Sequence, residues 1–269
     1  MTPEVDVLVP TRNRPVELAT TLAGLAAQRD VSFRVVASDQ SDGSASFDTP
    51  AAATLLRVLD RACRPVHTTR HLPRRGLAEH RAALLAAASA RYVLYLDDDV
   101  WLEPDALARL TTAIGRLGCG FVGAAVQGLS YLDDIRPHEL EPFERWDGPP
   151  RPEHVQPDGP AWRRHTLHNA ANPTHLAQRH LHGEDWIAYK VAWVGGCVLY
   201  DRAKLLDSGG FDFWTELPAE HVGEDVLAQQ RVMAGHGGAG VLPSGAYHLE
   251  APTTVPDRRH QAHELARAQ

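Results

Sequence analysis

The five residues Tyr92–Leu96 are apolar, aromatic or β-branched, and three aspartates follow them directly: Asp97, Asp98 and Asp99. Such a run is typical of a strand buried on both faces, as in a parallel sheet covered by helices. The carboxylates then stand at the carboxyl end of the strand, where open α/β sheets bind their ligands. This feature predicts an α/β fold with a site at the carboxyl edge of its sheet.

Adjacent carboxylates repel one another unless a cation lies between them. Mg²⁺ and Mn²⁺ prefer oxygen ligands, so the aspartates predict a divalent metal ion that would in turn hold phosphate. The alternative is an acidic turn that caps the helix expected to begin near Pro104, because aspartate is common before a helix. Capping needs one carboxylate and the sequence has three, which favours the metal.

Strand-like and helix-like segments alternate along the chain. Strands are predicted at 5–9, 33–37, 65–69, 92–96 and 121–126, and helices at 16–28, 75–90 and 104–117. Alternation of this kind predicts a mostly parallel sheet with helices on both faces. Further along, residues 193–200 and 240–242 are strand-like, and residues 202–208 and 226–234 are helix-like.

Residues 133–185 interrupt the alternation, with 8 of the 19 prolines and 7 of the 15 histidines. They predict an irregular, partly mobile excursion over the site edge of the sheet. A chain of 269 residues with 43% hydrophobic content favours one elaborated domain. Its expected parts are 1–126, 127–185 and 186–250, followed by a polar C-terminal tail at 251–269.

Charge and cysteine content exclude several classes of protein. A net charge of -7 and a pI near 6.1 argue against nucleic acid as a partner. The three cysteines are widely spaced and lack a CxxC pair, which predicts neither a disulfide framework nor a zinc site. With no basic leader and no apolar stretch approaching 18 residues, a cytoplasmic protein without a transmembrane segment is expected. Peripheral attachment to a membrane stays open.

Four features occur in a particular order: the strand and turn at 7–14, the strand at 35–41 that contains Asp39, Gly76 and Arg81 before the three aspartates, and two glycine pairs before Glu224-Asp225. The glycine pairs are Gly195-Gly196 and Gly209-Gly210. This order resembles the GT-A fold of nucleotide-sugar glycosyltransferases, in particular the inverting family 2, over roughly residues 5–248. The chain departs from the family at Ser38, where a first acid is usual.

The resemblance implies a metal-dependent, inverting transfer of a sugar, such as a hexose, from a nucleoside diphosphate sugar to a hydroxyl acceptor. Residues 1–126 would bind the donor, and residues 186–250 would hold the acceptor and the catalytic group. Asp39 would accept a hydrogen bond from the nucleobase, although it could instead stabilise its own turn. The donor-binding residues implied are Pro10, Thr11, Arg12, Arg14, Asp39, Gly76, Arg81, Asp97 and Asp98. For Arg81 the alternative is an ion pair on the helix.

The resemblance also assigns the metal and the base. With Asp97-Asp98-Asp99 as the DxD motif, Asp99 would be the direct ligand of Mn²⁺ or Mg²⁺, and His248 would complete the metal shell. A lone histidine is more often structural, which is the alternative for His248. Asp225 would be the general base that takes the proton of the acceptor hydroxyl. The alternative for Glu224-Asp225 is capping of the helix that follows.

Two other functions stay open on the sequence alone. The segment 96–100 also resembles the aspartyl-phosphate motif of haloacid dehalogenase-type phosphatases, which would need Lys190 or Lys204, the only two lysines, as a phosphate clamp. That family usually carries its nucleophile on the first strand, whereas earlier strands precede Asp97 here. The other alternative is a protein that binds a nucleotide sugar without transferring it. Dinucleotide and P-loop folds are disfavoured because their glycine patterns are missing from the first turn.

Overall fold

A computed structural model describes residues 3–157, 159–255 and 258–267. In chain order, its strands are β1 (Val5–Thr11), β2 (Phe33–Asp39), β3 (Val66–Arg70), β4 (Tyr92–Leu96), β5 (Val100–Leu102), β6 (Phe121–Gly123), β7 (Gln127–Gly128), β8 (Ile187–Tyr189), β9 (Cys197–Asp201), β10 (Gly238–Leu242) and β11 (Ala246–His248). The helices are α1 (Pro15–Ala26), α2 (Pro50–Arg61), α3 (Leu77–Ala87), α4 (Ala106–Leu117), α5 (Pro137–Leu140), α6 (Asn172–His180), α7 (Arg202–Asp207) and α8 (Glu224–His236). No helix in these ranges is long and apolar enough to cross a membrane.

The main sheet has eight strands in the order β3-β2-β1-β4-β9-β6-β10-β8. Strands β1 to β4 pair in parallel, as do β6 and β10. Strand β9 runs antiparallel between β4 and β6, and β8 runs antiparallel at the edge. The mostly parallel sheet predicted from the sequence is therefore confirmed, with two reversed strands.

Helices cover both faces of this sheet. In β1, Val7 and Val9 pack in one apolar cluster with α1 and α4, whereas Leu8 packs in a second cluster with α3 and α8. Side chains of a strand alternate between the two faces, so a strand in which successive residues are all apolar must be covered on both sides. The α/β architecture follows from this pattern, and its parallel strands direct their carboxyl ends to one edge.

A small second sheet, in the order β5-β11-β7, was not predicted from the sequence. It places His248 of β11 opposite Val100 of β5, one residue beyond the three aspartates. The backbone N–H of Leu249 also donates to the carbonyl of Asp99 at 2.9 Å. These short strands are what bring the late histidine to the aspartates.

Residues 133–185 are packed more firmly than the sequence predicts. They contain α5, a 3₁₀ helix at Pro160–His168 and α6. Four separate apolar side chains enter the same cluster as α8: Leu140, Val155, Leu167 and Leu176. These contacts attach the described part of the segment to the core at four points, and its mobility stays a prediction. Isolated apolar anchors, rather than a continuous run, hold the segment, and these give no periodic signal.

The C-terminal segment contacts the rest of the fold at residues 260–262. Ala262 is fully buried, and its N–H donates to the carbonyl of Val222 at 2.8 Å. The N–H of Val222 in turn donates to the carbonyl of His260 at 3.0 Å. This anchor carries residues 251–255 across the site edge of the sheet.

Candidate active site

A cleft of about 410 Å³ lies at the carboxyl ends of β1, β2 and β4, and the start of α8 faces it. A cleft of this size accommodates a small-molecule ligand. Eleven of the twelve residues singled out from the sequence line it: Pro10, Thr11, Arg12, Arg14, Gly76, Arg81, Asp97, Asp98, Asp99, Asp225 and His248. The fold therefore brings together side chains that are up to 238 positions apart in the sequence.

Asp98 and Asp99 share one guanidinium group. The Nη1 atom of Arg14 donates to Asp98 Oδ1 at 3.1 Å and to Asp99 Oδ2 at 2.5 Å. Asp98 also accepts a hydrogen bond from Thr11 Oγ1 at 2.6 Å. The second terminal nitrogen of Arg14 donates to the carbonyl of Pro252, so the same side chain ties the C-terminal segment to the aspartates.

Burial disfavours the charged forms of both carboxyl groups. It raises the pKa of Asp98 to about 7, although the hydrogen bond from Thr11 and the charge of Arg14 act in the opposite direction. Burial and the charge of Asp97 raise the pKa of Asp99. The local excess of negative charge that Arg14 leaves uncompensated would be relieved by an additional cation.

Asp97 is the most accessible of the three aspartates. Its side chain is 40% exposed, compared with 9% for Asp98 and 5% for Asp99. One oxygen accepts a hydrogen bond from Arg81 Nη2 at 3.1 Å. Asp97 is thus the carboxylate that a ligand in the cleft can reach most easily.

His248 is close to Asp99, and the other side of its ring is hydrogen-bonded to the backbone. Its Nε2 atom lies 3.5 Å from Asp99 Oδ2, and its Nδ1 atom accepts a hydrogen bond from the backbone N–H of Glu250 at 2.7 Å. A neutral ring that accepts at Nδ1 carries its proton on Nε2, and this proton faces Asp99. Metal binding at Nε2 would need the proton on Nδ1 instead, and the bond from Glu250 would then be lost.

No three His, Cys, Asp or Glu side chains within the described ranges are arranged as a complete metal site. The carboxylate oxygens at the aspartates are nevertheless the donor type that Mn²⁺ and Mg²⁺ prefer. A cation bound there would take its remaining ligands from phosphate and water, as Mg²⁺ commonly does.

Arg81 of α3 is buried among acidic and aromatic groups. Its Nε donates to Glu224 Oε1 at 2.9 Å, and its guanidinium carbon lies 5.4 Å from the ring centre of Tyr95. Together with the bond to Asp97, these contacts make it the ion-pair partner that the sequence allowed as an alternative. Arg81 links the end of β4 to the start of α8.

Asp225 is the second residue of α8, after Gly223, whose φ of 77° is in the left-handed region that glycine adopts easily. Oδ1 of Asp225 accepts a hydrogen bond from the N–H of Val226 at 2.9 Å, and no described side chain donates to the carboxylate. Burial and the charge of Glu224 raise its pKa to about 7, against the opposing charge of Arg81. A carboxylate that lines the cleft and has this pKa suits proton transfer near neutral pH.

Asp39, the twelfth residue singled out, does not line the cleft. It is fully buried, and its carboxylate accepts three hydrogen bonds: from the Ser41 N–H at 2.6 Å, the Ser41 hydroxyl at 2.9 Å and the Ser46 N–H at 2.8 Å. It stabilises the turn after β2, as the alternative interpretation held. The expected contact between Asp39 and the nucleobase has no support in this geometry.

Ser38, where the family usually has an acid, pairs with a histidine instead. The hydroxyl of Ser38 lies 2.8 Å from His80 Nε2. Burial lowers the pKa of His80 to about 3, helped by the charges of His71 and Arg81, so the ring is neutral. The pair places a neutral, hydrogen-bonded group at this strand end.

Several lining residues were not singled out in the sequence: Gln40, Arg74, Leu77, His80 and His221. Gln40 follows β2 directly, so its position at a strand end was the available signal. The two lysines needed by the phosphatase alternative are elsewhere. Lys190 pairs with Glu144, and Lys204 Nζ donates to the carbonyl of Gly118 at 2.5 Å. Neither lines the cleft.

The sequence model for glycosyl transferase family 2 matches residues 6–181. No curated protein matches the chain. Among solved structures, TarS of S. aureus aligns at 17% identity with a TM-score of 0.56, over 93% of this chain and 37% of TarS. TarS 1–349 in complex with UDP-GlcNAc aligns at 16% identity with a TM-score of 0.55, over 94% of this chain and 60% of that one.

The mannosyltransferase PcManGT from Pyrobaculum calidifontis, in complex with GDP-Man and Mn²⁺, aligns at 18% identity with a TM-score of 0.51, over 89% of this chain and 57% of that one. The chain thus spans between 37% and 60% of the length of these three proteins. At these identities the structures establish the shared GT-A fold. Asp225 and His248 lie beyond the residues that the family model matches.

Proposed function

The chain belongs to glycosyl transferase family 2, and from this premise we propose that it transfers a sugar from a nucleoside diphosphate sugar to a hydroxyl acceptor. The observation that carries the proposal is the arrangement of acids around one cleft. Asp97, Asp98 and Asp99 line it at the end of β4, and Asp225 lines it at the start of α8. Two functions are thereby separated in space: binding of the diphosphate and removal of a proton.

The donor would lie along the carboxyl ends of β1, β2 and β4. Solved structures with the same fold contain UDP-GlcNAc and GDP-Man, whose uracil and guanine each present an N–H beside a carbonyl group. We expect a base of this kind here. We expect Arg14 to contact the diphosphate of such a donor and Asp97 to contact its ribose.

The chemistry of the aspartates fits Mn²⁺ or Mg²⁺, which Asp99 would hold with Asp97 close by. A bound cation would supply positive charge that stabilises the departing diphosphate. For this, Asp99 must exchange its contact with Arg14 for the cation. Arg14 would then be free to pair with phosphate oxygens, which a guanidinium group binds well.

Asp225 would act as the general base. Its neighbour Glu224 is occupied by Arg81, so the two consecutive acids differ in their partners. A hydroxyl acceptor placed against Asp225 would lose its proton to the carboxylate while its oxygen attacks the anomeric carbon opposite the diphosphate. One such displacement inverts the anomeric centre. A separate acid is not required, because the diphosphate leaves without protonation, unlike an ordinary glycoside.

The test is the release of nucleoside diphosphate from a panel of nucleotide sugars, measured with wild type and Asp225→Asn in the presence of Mn²⁺ or Mg²⁺. Thermal stabilisation by the same nucleotides measures binding separately. We expect one nucleotide to stabilise both proteins, and release to occur with wild type alone. Stabilisation without any release would support the binding protein that does not transfer. No stabilisation by any nucleotide would overturn the proposal.

A further inference from the structure

Gln40 is a buried polar residue whose amide nitrogen has no partner. The residue is 4% exposed and lines the cleft, and its Nε2 atom makes no hydrogen bond to any part of the chain that the structure describes. Buried polar groups in folded proteins are nearly always hydrogen-bonded, so an unsatisfied one at a cleft indicates a missing partner. A ligand is the partner that a cleft can supply.

The backbone holds Gln40 rigidly beside the aspartates. Its N–H donates to the carbonyl of Thr11 at 3.0 Å. The hydroxyl of Thr11 donates to Asp98 at 2.6 Å. One residue, Thr11, therefore connects Gln40 to the site where the diphosphate would bind, and a single nucleotide could reach both.

The residue before Gln40 explains why Gln40, and not Asp39, is available. The Asp39 carboxylate accepts three hydrogen bonds within this turn, two from Ser41 and one from Ser46. These bonds turn the Asp39 carboxylate away from ligand and fix the backbone on the C-terminal side of Gln40. The acid structures the turn, and the amide next to it is left unpaired.

We infer that Gln40 contacts the nucleobase of the donor and determines which base is accepted. This inference rests on the proposed function. An amide offers a donor and an acceptor side by side. With Nε2 toward the base carbonyl it complements the N–H and carbonyl of uracil, thymine or guanine, whereas cytosine or adenine would require the amide to be rotated by 180°. The unpaired Nε2 would donate to the base carbonyl, and Oε1 would accept from the base N–H. A carboxylate at this position could only accept, and it would repel the carbonyl.

The first test compares the binding of different nucleoside diphosphates to the wild-type protein. UDP and CDP have the same sugar and phosphates and differ only at the hydrogen-bonding edge of the base. GDP and ADP likewise have the same sugar and phosphates and differ in the groups on the purine. Calorimetric titration of wild type with these four and dTDP, each with Mn²⁺, should show UDP, dTDP or GDP bound at least tenfold more tightly than CDP and ADP. Equal affinity for all five would overturn the inference while leaving the proposed function intact, since nucleotides would still bind.

Substitution then assigns the preference to the side chain. Gln40→Leu should weaken binding of the preferred nucleotide about tenfold, because one buried hydrogen bond is lost. Binding of inorganic pyrophosphate should be unchanged. Gln40→Glu, which keeps the shape and removes the donor, should also lose the preference, so either variant suffices if the other does not fold.

Ser41→Ala is the matched control, because it perturbs the same turn through Asp39 and does not line the cleft. It should lower Tm and keep the base preference. If the Gln40 variants retain the preference, Gln40 is only a packing residue and the inference fails. If wild type binds no nucleoside diphosphate at all, the proposed function fails together with it.

Discussion

The guanidinium group of Arg81 donates from Nε to Oε1 of Glu224 at 2.9 Å, and both side chains are buried. The pair joins α3 to α8 across the floor of the cleft. It neutralises one of the two consecutive acids at the start of α8 and leaves Asp225 without a cationic hydrogen-bond donor among the described residues. Two adjacent acids are thereby given different roles by one arginine.

Replacement of Asp225 and Glu224 should therefore have different consequences. Asp225→Asn should lower kcat by about 10²- to 10⁴-fold, the usual contribution of a general base, with little change in donor affinity. Glu224→Gln should lower Tm because it removes the more buried of the two carboxylates that pair with the Arg81 guanidinium and leaves only Asp97. Steady-state kinetics and thermal unfolding of both variants test this. Equal loss of kcat in two stable variants would contradict the assignment of roles.

The pH dependence of kcat/KM should show one limb set by Asp225. Because its pKa is raised to about 7, the carboxylate is deprotonated above that pH and the rate should fall as the pH is lowered through 7. In Glu224→Gln the nearest negative charge is removed, so the limb should shift to lower pH. If the limb stays in place or shifts to higher pH, it is caused by the titration of another group.

Stability should depend on pH through the same residue. The folded pKa of about 7 is above the reference value of 3.8, so the folded state binds more protons than the unfolded state between these values. Stability from this group is present below pH 3.8 and is lost as the pH rises through 7. Asp225→Asn should thus have a Tm about 5 °C above wild type at pH 8. The difference should be small near pH 4, and a lower Tm at pH 8 would contradict the sign.

Arg14 should compete with a metal ion for Asp99. Its Nη1 is 2.5 Å from Asp99 Oδ2, so a cation must displace it. Arg14→Met should bind Mn²⁺ about tenfold more tightly without nucleotide, because each displaced charge contact of this kind is worth about 1.4 kcal/mol or more. Electron paramagnetic resonance of free Mn²⁺ measures this directly. Asp99→Ala is the reference for lost binding, and weaker binding by Arg14→Met would show that Arg14 supports the site.

His248 should matter less than Asp99 for Mn²⁺ affinity. Its Nδ1 accepts from the Glu250 N–H at 2.7 Å, which leaves the proton on Nε2. His248→Asn should weaken Mn²⁺ binding less than Asp99→Ala does, because the ring lies beside the carboxylate of Asp99 and would act through it. The same resonance titration provides the comparison. A drop as large as that of Asp99→Ala would restore His248 as a ligand.

Features with a local pattern were predicted from the sequence. The apolar run Tyr92–Leu96 specifies a strand buried on both faces, and the aspartates that follow must then emerge at its carboxyl end. The position of Asp225 at the start of a helix was equally visible. Both depend on residues adjacent in the chain, whose spacing reflects the geometry of strands and helices.

Features that depend on distant partners could not be predicted. Asp39 and Gln40 are neighbours at one strand end, yet the bonds from Ser41 and Ser46 decide that the acid is buried and the amide meets the cleft. Arg81 is hydrogen-bonded to Glu224, which lies 143 positions further along the sequence. Residues 133–185 enter the core through isolated side chains that give no periodic signal.

The sequence by itself determined the alternation of strands and helices, the edge at which the acids gather and, through its motifs, the family. Only the tertiary structure decided which acid faces the cleft without a cationic donor, which is an ion-pair partner and which stabilises a turn. The reason is physical. Secondary structure follows from local side-chain periodicity, whereas the chemical role of a carboxyl group depends on its burial and on the donors around it, and folding supplies those from distant parts of the chain.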